Sequence, residues 1–101
     1  MHEPIIQNSQ TDLLMKAVLK LTTMDEAYRF FEDVCTIQEL KSMAQRIEVA
    51  RMLREGITYH DIAKQTGAST ATISRVNKAL LYGADGYTLT LDAIDAENFA
   101  E

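Results

Sequence analysis

Apolar residues recur at steps of three and four along most of this chain. Leu13, Leu14, Ala17, Val18 and Leu21 fall on one face of a segment from residue 12 to 21. Met24, Ala27, Tyr28, Phe31, Val34 and Cys35 do the same in the next segment. Leu40, Met43, Ala44, Ile47, Ala50 and Leu53 follow in a third. This is the period of an amphipathic helix, not of a strand. Proline occurs once, at Pro4, and glycine only at Gly56, Gly67, Gly83 and Gly86. Between residues 11 and 82 there is thus almost nothing to stop a helix. The pattern predicts an all-α protein.

Capping chemistry punctuates the stripes. Thr23-Met-Asp-Glu26 and Thr36-Ile-Gln-Glu39 both read T-x-x-E, in which the hydroxyl accepts a backbone N–H while the glutamate reaches back. Thr58-Tyr-His-Asp61 is a looser version, Ser69 is a further N-cap, and Gly56 fits a helix C-terminus. After Gly83 the pattern changes. Residues 83–101 begin with turn chemistry, alternate at Tyr87, Leu89 and Leu91, then regain a helical spacing through Ile94 and Phe99. Strand, extended arm and short helix all remain open for this acidic C-terminal segment.

Residues 58–80 carry the offsets of a helix-turn-helix. The first helix needs an apolar residue followed by a small one where the second crosses close by, and Ile62-Ala63 supplies them. The turn needs a residue tolerant of positive φ four positions later, which is Gly67, followed by an apolar residue, Ala68. The second helix must pin itself to the core at two points three residues apart, here Ile73 and Val76. Its remaining positions face outward. Small polar and methyl-bearing residues suit base edges, and basic ones suit phosphates. The expected DNA contacts are therefore Thr70, Ala71, Thr72 and Ser74 for reading, with Lys64, Arg75 and Lys78 on the backbone and Ser69 at the start of the helix.

Charge sharpens this picture once its distribution is considered. The 101 residues carry a net charge of −5, which argues against nonspecific nucleic-acid binding. Residues 1–40 hold −4 and residues 79–101 hold −5, but residues 41–78 hold +4. The basic segment coincides with the helix-turn-helix. The acid-rich tail is a solvated surface, or else it restrains nonspecific DNA binding by repulsion.

The run Thr36–Leu80 resembles the Trp repressor family, and the whole chain resembles its YerC/YecD-type branch. The resemblance rests on "TIQELKSMAQRIEVARMLREG" leading directly into "ITYHDIAKQTGASTATISRVNKAL", above all on Gly67-Ala68 and Ala71-Thr72-Ile73-Ser74-Arg75. It implies a single domain over residues 1–101. Residues 11–35 would form dimerisation helices, 37–55 a long core helix and 58–80 the helix-turn-helix, with 83–101 an acidic arm. An intertwined homodimer would place two reading heads in successive major grooves of double-stranded DNA. The alternative for the first two helices is that they simply wrap the reading core.

The same resemblance locates an effector slot. In that family two arginines sandwich the indole of tryptophan, and the matching positions are Arg46 and Arg75. The glycine the indole approaches is replaced by Val76, and the serine that helps hold the amino group by Ala79. Val76 is also the apolar pin of an ordinary helix-turn-helix. The expectation is that protein fills the space tryptophan would occupy and that L-tryptophan does not gate binding. A repressor gated by another small metabolite is the variant reading. A helix-turn-helix reused as a protein interaction module is the alternative from another class.

Other chemistry is sparse. His2, His60 and Cys35 have no zinc spacing, and no phosphate loop, triad or carboxylate pair stands out, so neither an enzyme nor a cofactor or metal site is expected. Cys35, Tyr28 and the Phe30-Phe31 pair read as packing or interface. The N-terminus lacks the regions of a signal peptide and no apolar run reaches membrane-spanning length. A lone cysteine fits a reducing, cytoplasmic setting.

Overall fold

A computed structural model describes residues 2–99, and among these there are six helices and no strand. They are α1 (Ser9–Val18), α2 (Met24–Val34), α3 (Ile37–Arg54), α4 (Tyr59–Thr66), α5 (Thr70–Tyr82) and α6 (Gly86–Phe99). Two compact units result, one up to Leu40 and one from Lys41 onward, with the boundary inside α3.

In the first unit the caps do the local work. Asn8 accepts the N–H of Thr11 at 2.9 Å, and the Thr11 hydroxyl accepts the N–H of Asn8 at 2.9 Å. This reciprocal box starts α1 at Ser9, earlier than the stripe from residue 12 indicates, because the cap and not the first apolar residue sets the N-terminus. Thr23 caps α2 by accepting the Glu26 N–H at 3.1 Å, but Glu26 reaches one residue further back than expected, to the Thr22 N–H at 2.9 Å. Thr36 and Glu39 form the full reciprocal box that opens α3. Despite these caps, α1 and α2 bury no residue. Leu13, Leu19, Met24, Tyr28 and Val34 are all exposed.

The second unit holds the core. Val49, Ala50 and Met52 of α3, Ile62 of α4, Ala68 of the turn, Ile73 and Val76 of α5 and Leu91 of α6 are buried against one another. Ile47, Leu53, Ile57, Ala63, Leu80 and Tyr87 pack around them. Burying side chains such as Met52, Ile62 and Ile73 contributes about 1.5–3 kcal/mol each. Val49 and Met52 lie off the stripe read along α3, while Met43 and Ala44 on that stripe are exposed. A helix that packs on more than one side has no single apolar face. A Schellman turn ends α3: the Ile57 N–H donates to Met52 O at 3.1 Å and the Gly56 N–H to Leu53 O at 3.0 Å. Gly56 sits at φ 79°, where a side chain would be strained.

The C-terminal segment is not an arm. Residues 86–99 form a helix, anchored by buried Leu91 and half-buried Tyr87. The alternation of Tyr87, Leu89 and Leu91, with Thr88 and Thr90 between them, is strand-like in composition, but burial of one face overrides that preference. The Thr90 hydroxyl satisfies itself by donating to Gly86 O at 2.9 Å within the helix. Removing everything beyond Gly83 would therefore damage the core as well as strip charge. Neutralising the exposed Asp85 and Glu97 tests electrostatic restraint by the tail more cleanly.

Candidate nucleic-acid interface

The turn between α4 and α5 is determined by a small set of bonds. Thr58 caps α4 by accepting the Asp61 N–H at 3.2 Å. Gly67 closes that helix at φ 75°, donating its N–H to Ala63 O at 2.9 Å. The Thr66 hydroxyl donates to Ile62 O at 2.7 Å and accepts the Ala68 N–H at 3.1 Å, which directs Ala68 into the core. From α3, the Gln45 side-chain amide donates to Thr66 O at 3.1 Å. Gln45 was not among the expected functional residues. Its signal is its place beside Arg46 and one helical turn from Ser42, legible only once the turn is known to lie against that face.

The second helix begins with Ser69, whose hydroxyl accepts the Thr72 N–H at 3.1 Å and donates to the Thr72 hydroxyl oxygen at 3.1 Å. The hydroxyl proton of Thr72 is thereby left to donate outward. Ile73 and Val76 are buried, the latter 2% exposed, so both pins serve as expected. Thr70, Ala71, Ser74, Arg75 and Lys78 are exposed along the opposite side, as are Ser69 at the cap and Lys64 on α4. Thr72 is half-buried.

Ion pairing sorts the basic residues. Arg51 pairs with Glu48 and with Glu55, the latter at 2.9 Å, and Arg54 pairs with Asp92 and, at 3.8 Å, with Asp95 of α6. Arg29 pairs with Asp25 at 3.0 Å. Among the described residues Lys41, Arg46, Lys64, Arg75 and Lys78 form no such pair. The uncompensated charge of the second unit thus includes Lys64, Arg75 and Lys78 on and beside α5, while the arginines further along α3 are neutralised. Glu48 is held below the usual carboxylate range by its hydrogen bonds from Arg51, against a smaller opposing effect of burial.

The four residues of the expected effector slot are separated. Arg46 and Arg75 line one polar cavity of about 270 Å³ together with Ser42, Gln45 and Thr72. Ala79 lines a different, apolar cavity with Ile47, Ala84, Gly86, Tyr87 and Thr90. Val76 is in the core and lines neither.

A core-pinned second helix after a glycine turn, with an exposed polar face flanked by unpaired bases, defines a helix-turn-helix protein. The sequence profile of the Trp repressor protein family matches residues 9–95, and the chain belongs to that family. It is 55% identical over 89 residues to YerC of Bacillus subtilis strain 168, described as uncharacterized, covering 88% of this chain and 86% of that protein. It also resembles the crystal structure of a TrpR-like protein from Eubacterium eligens, with a TM-score of 0.84 and 56% identity over 88% of this chain and 92% of that one. A Trp repressor candidate from Staphylococcus aureus is similar as well, at TM-score 0.84 and 45% identity, covering 88% and 89%. Among the described residues no helix is long and apolar enough to cross a membrane, and no cluster of metal-ligating side chains occurs.

Proposed function

We propose that this protein is a cytoplasmic, sequence-specific transcriptional repressor that binds a two-fold symmetric operator as a homodimer without tryptophan. The observation that carries the reading is the α5 surface. Thr70, Ala71 and Ser74 present small polar and methyl groups at the start of a rigidly pinned helix, and Arg75, Lys78 and Lys64 flank them without carboxylate partners among the described residues. Thr72, oriented by Ser69, adds a donor for a base acceptor or a phosphate oxygen. Membership of the Trp repressor family supports the same conclusion.

The dimer is supported by the first unit. Two helices of 10 and 11 residues that bury nothing are too short to persist alone in water. A second copy interlocking over Leu13, Leu19, Met24 and Tyr28 gives them a core and sets the spacing of the reading heads. Insensitivity to tryptophan is supported by Val76. Its side chain is buried in the core that includes Val49, Met52 and Ile73, at the position where the family's glycine leaves room for a ligand.

Selection of duplexes from a random pool at low salt, with no amino acid added, tests the proposal. Enrichment of a palindrome with half-sites about 34–36 Å apart is expected. No enrichment, with or without added metabolites, would instead assign the helix pair to a protein partner. Thr72→Ala should change which sequence is preferred, whereas Lys78→Ala should weaken all sequences alike and lower the salt slope by about one. Calorimetry with L-tryptophan should show no saturable heat.

A further inference from the structure

Two side-chain hydrogen bonds among the described residues join distant parts of the chain. One is the exposed Arg54 pair with Asp92, which links α3 to α6. The other runs from the Gln45 amide to Thr66 O, 21 positions away, part-buried and 3.1 Å long. The core that joins α3 to the helix-turn-helix is apolar, with Val49, Ala50 and Met52 against Ile62, Ala68, Ile73 and Val76. Apolar burial is non-directional, so it holds two layers together without fixing the register in which they meet. A hydrogen bond weakens steeply with angle and does fix it.

The acceptor occupies a mechanically central position. Thr66 is the last residue of α4, so its carbonyl has no partner within that helix. Its hydroxyl already donates to Ile62 O and accepts the Ala68 N–H, which joins α4 to the turn. From there α5 starts at Thr70. Gln45 itself is half-buried, while Ala44 and Arg46 beside it are exposed. It also lines one cavity with Thr72 and Arg75 of α5.

We infer that Gln45 is a positioning residue for DNA recognition, which acts without touching DNA by fixing, through Thr66 O, the register of α5 against α3. The inference rests on the DNA-binding reading above. Reading base edges with Thr70, Thr72 and Ser74 demands placement within about 0.5 Å. Attraction to phosphates is long-range and tolerates a shifted helix. Loss of the link therefore lowers affinity for the preferred sequence and spares nonspecific binding.

Gln45→Met tests this, because it keeps the length, the charge and the helix preference of the side chain and removes only the donor. The first readout is hydrogen exchange of the free full-length protein. The Gly67 and Ala68 amides, which follow Thr66 directly, should exchange at least about tenfold faster, the scale of one lost hydrogen bond. The Ile73 amide, bonded to Ser69 O within α5, should keep its rate. The second readout is binding to a duplex selected by the wild-type protein and to an unrelated one. Affinity for the selected duplex should fall at least about tenfold while the unrelated one stays within about twofold. Arg54→Gln breaks the other distant bond and should leave the ratio of the two affinities unchanged, which separates positioning from general loosening. Unchanged exchange at Gly67 and Ala68 overturns the link. Proportional loss of both affinities, or loss of neither, overturns the positioning role. A wild-type protein that selects no duplex overturns the repressor reading and its consequence for Gln45, and the exchange result, obtained without DNA, still decides whether Gln45 holds the turn.

Discussion

Up to Leu40 the chain has two helices with side-chain caps at both N-termini and, among the described residues, not one buried side chain. From Lys41 onward, eight residues from α3, α4, α5, α6 and the turn share a core. Both regions carry helical stripes in sequence. The difference shows that periodicity states which face wants burial, while the rest of the assembly decides whether it is covered. In the second unit four elements cover one another. In the first, Leu13, Leu19, Met24 and Tyr28 are between 60% and 81% exposed, a surface that a stable protein covers with something.

The largest test of that contrast is truncation of buried and exposed apolar residues. Ile73→Ala and Ile62→Ala should each cost about 2–5 kcal/mol in urea unfolding. In a monomer Leu19→Ala would cost less than about 0.5 kcal/mol. If a second copy covers α1 and α2, stability instead rises with protein concentration and the Leu19→Ala cost approaches that of a core residue. A smaller effect comes from the caps, where Asn8→Ala and Thr36→Ala should each lose about 1 kcal/mol and lower helicity in the elements they open. Smaller still is the link between α3 and α6. Arg54→Gln should cost no more than about 1 kcal/mol, and the cost should shrink as salt is added.

Acid titration sharpens the comparison by direction alone. Glu26 is held below the usual carboxylate range first by the Thr22 N–H and then by the Thr22 hydroxyl, and Glu39 first by the Thr36 N–H. Their folded values lie below their unfolded ones. The stability they contribute is therefore present above the ordinary glutamate range and is lost as pH falls through the lower folded values. Circular dichroism of Glu26→Gln and Glu39→Gln should show a flatter acid transition than the parent.

Much of the site was legible before any coordinates. The offsets Ile62-Ala63, Gly67, Ala68, Ile73 and Val76 describe local geometry, and local geometry is written in residue type: a positive φ asks for glycine, and a close crossing asks for alanine. The outward face of α5 followed by subtraction. The separation of Val76, Ala79 and the two arginines into three surroundings was not legible, because it depends on how α3 and α6 approach α5. Gln45 belongs to the same class. An amide on an amphipathic helix is ordinary until the carbonyl of Thr66, 21 residues away, is found beside it.

The sequence by itself determined the helices up to Tyr82, most of their N-terminal caps, the turn that sets α5 and the family to which the chain belongs. Each is encoded within a few residues through backbone preference, capping and spacing. Tertiary structure alone decided that residues 86–99 form a helix and not an arm. It alone engaged Arg54 with Asp92 while leaving Arg46 and Arg75 facing one cavity, and covered Val49 and Met52 while leaving Leu13 bare. These outcomes depend on which distant surfaces meet, and burial and ion pairing are properties of that meeting, not of the segment that takes part in it.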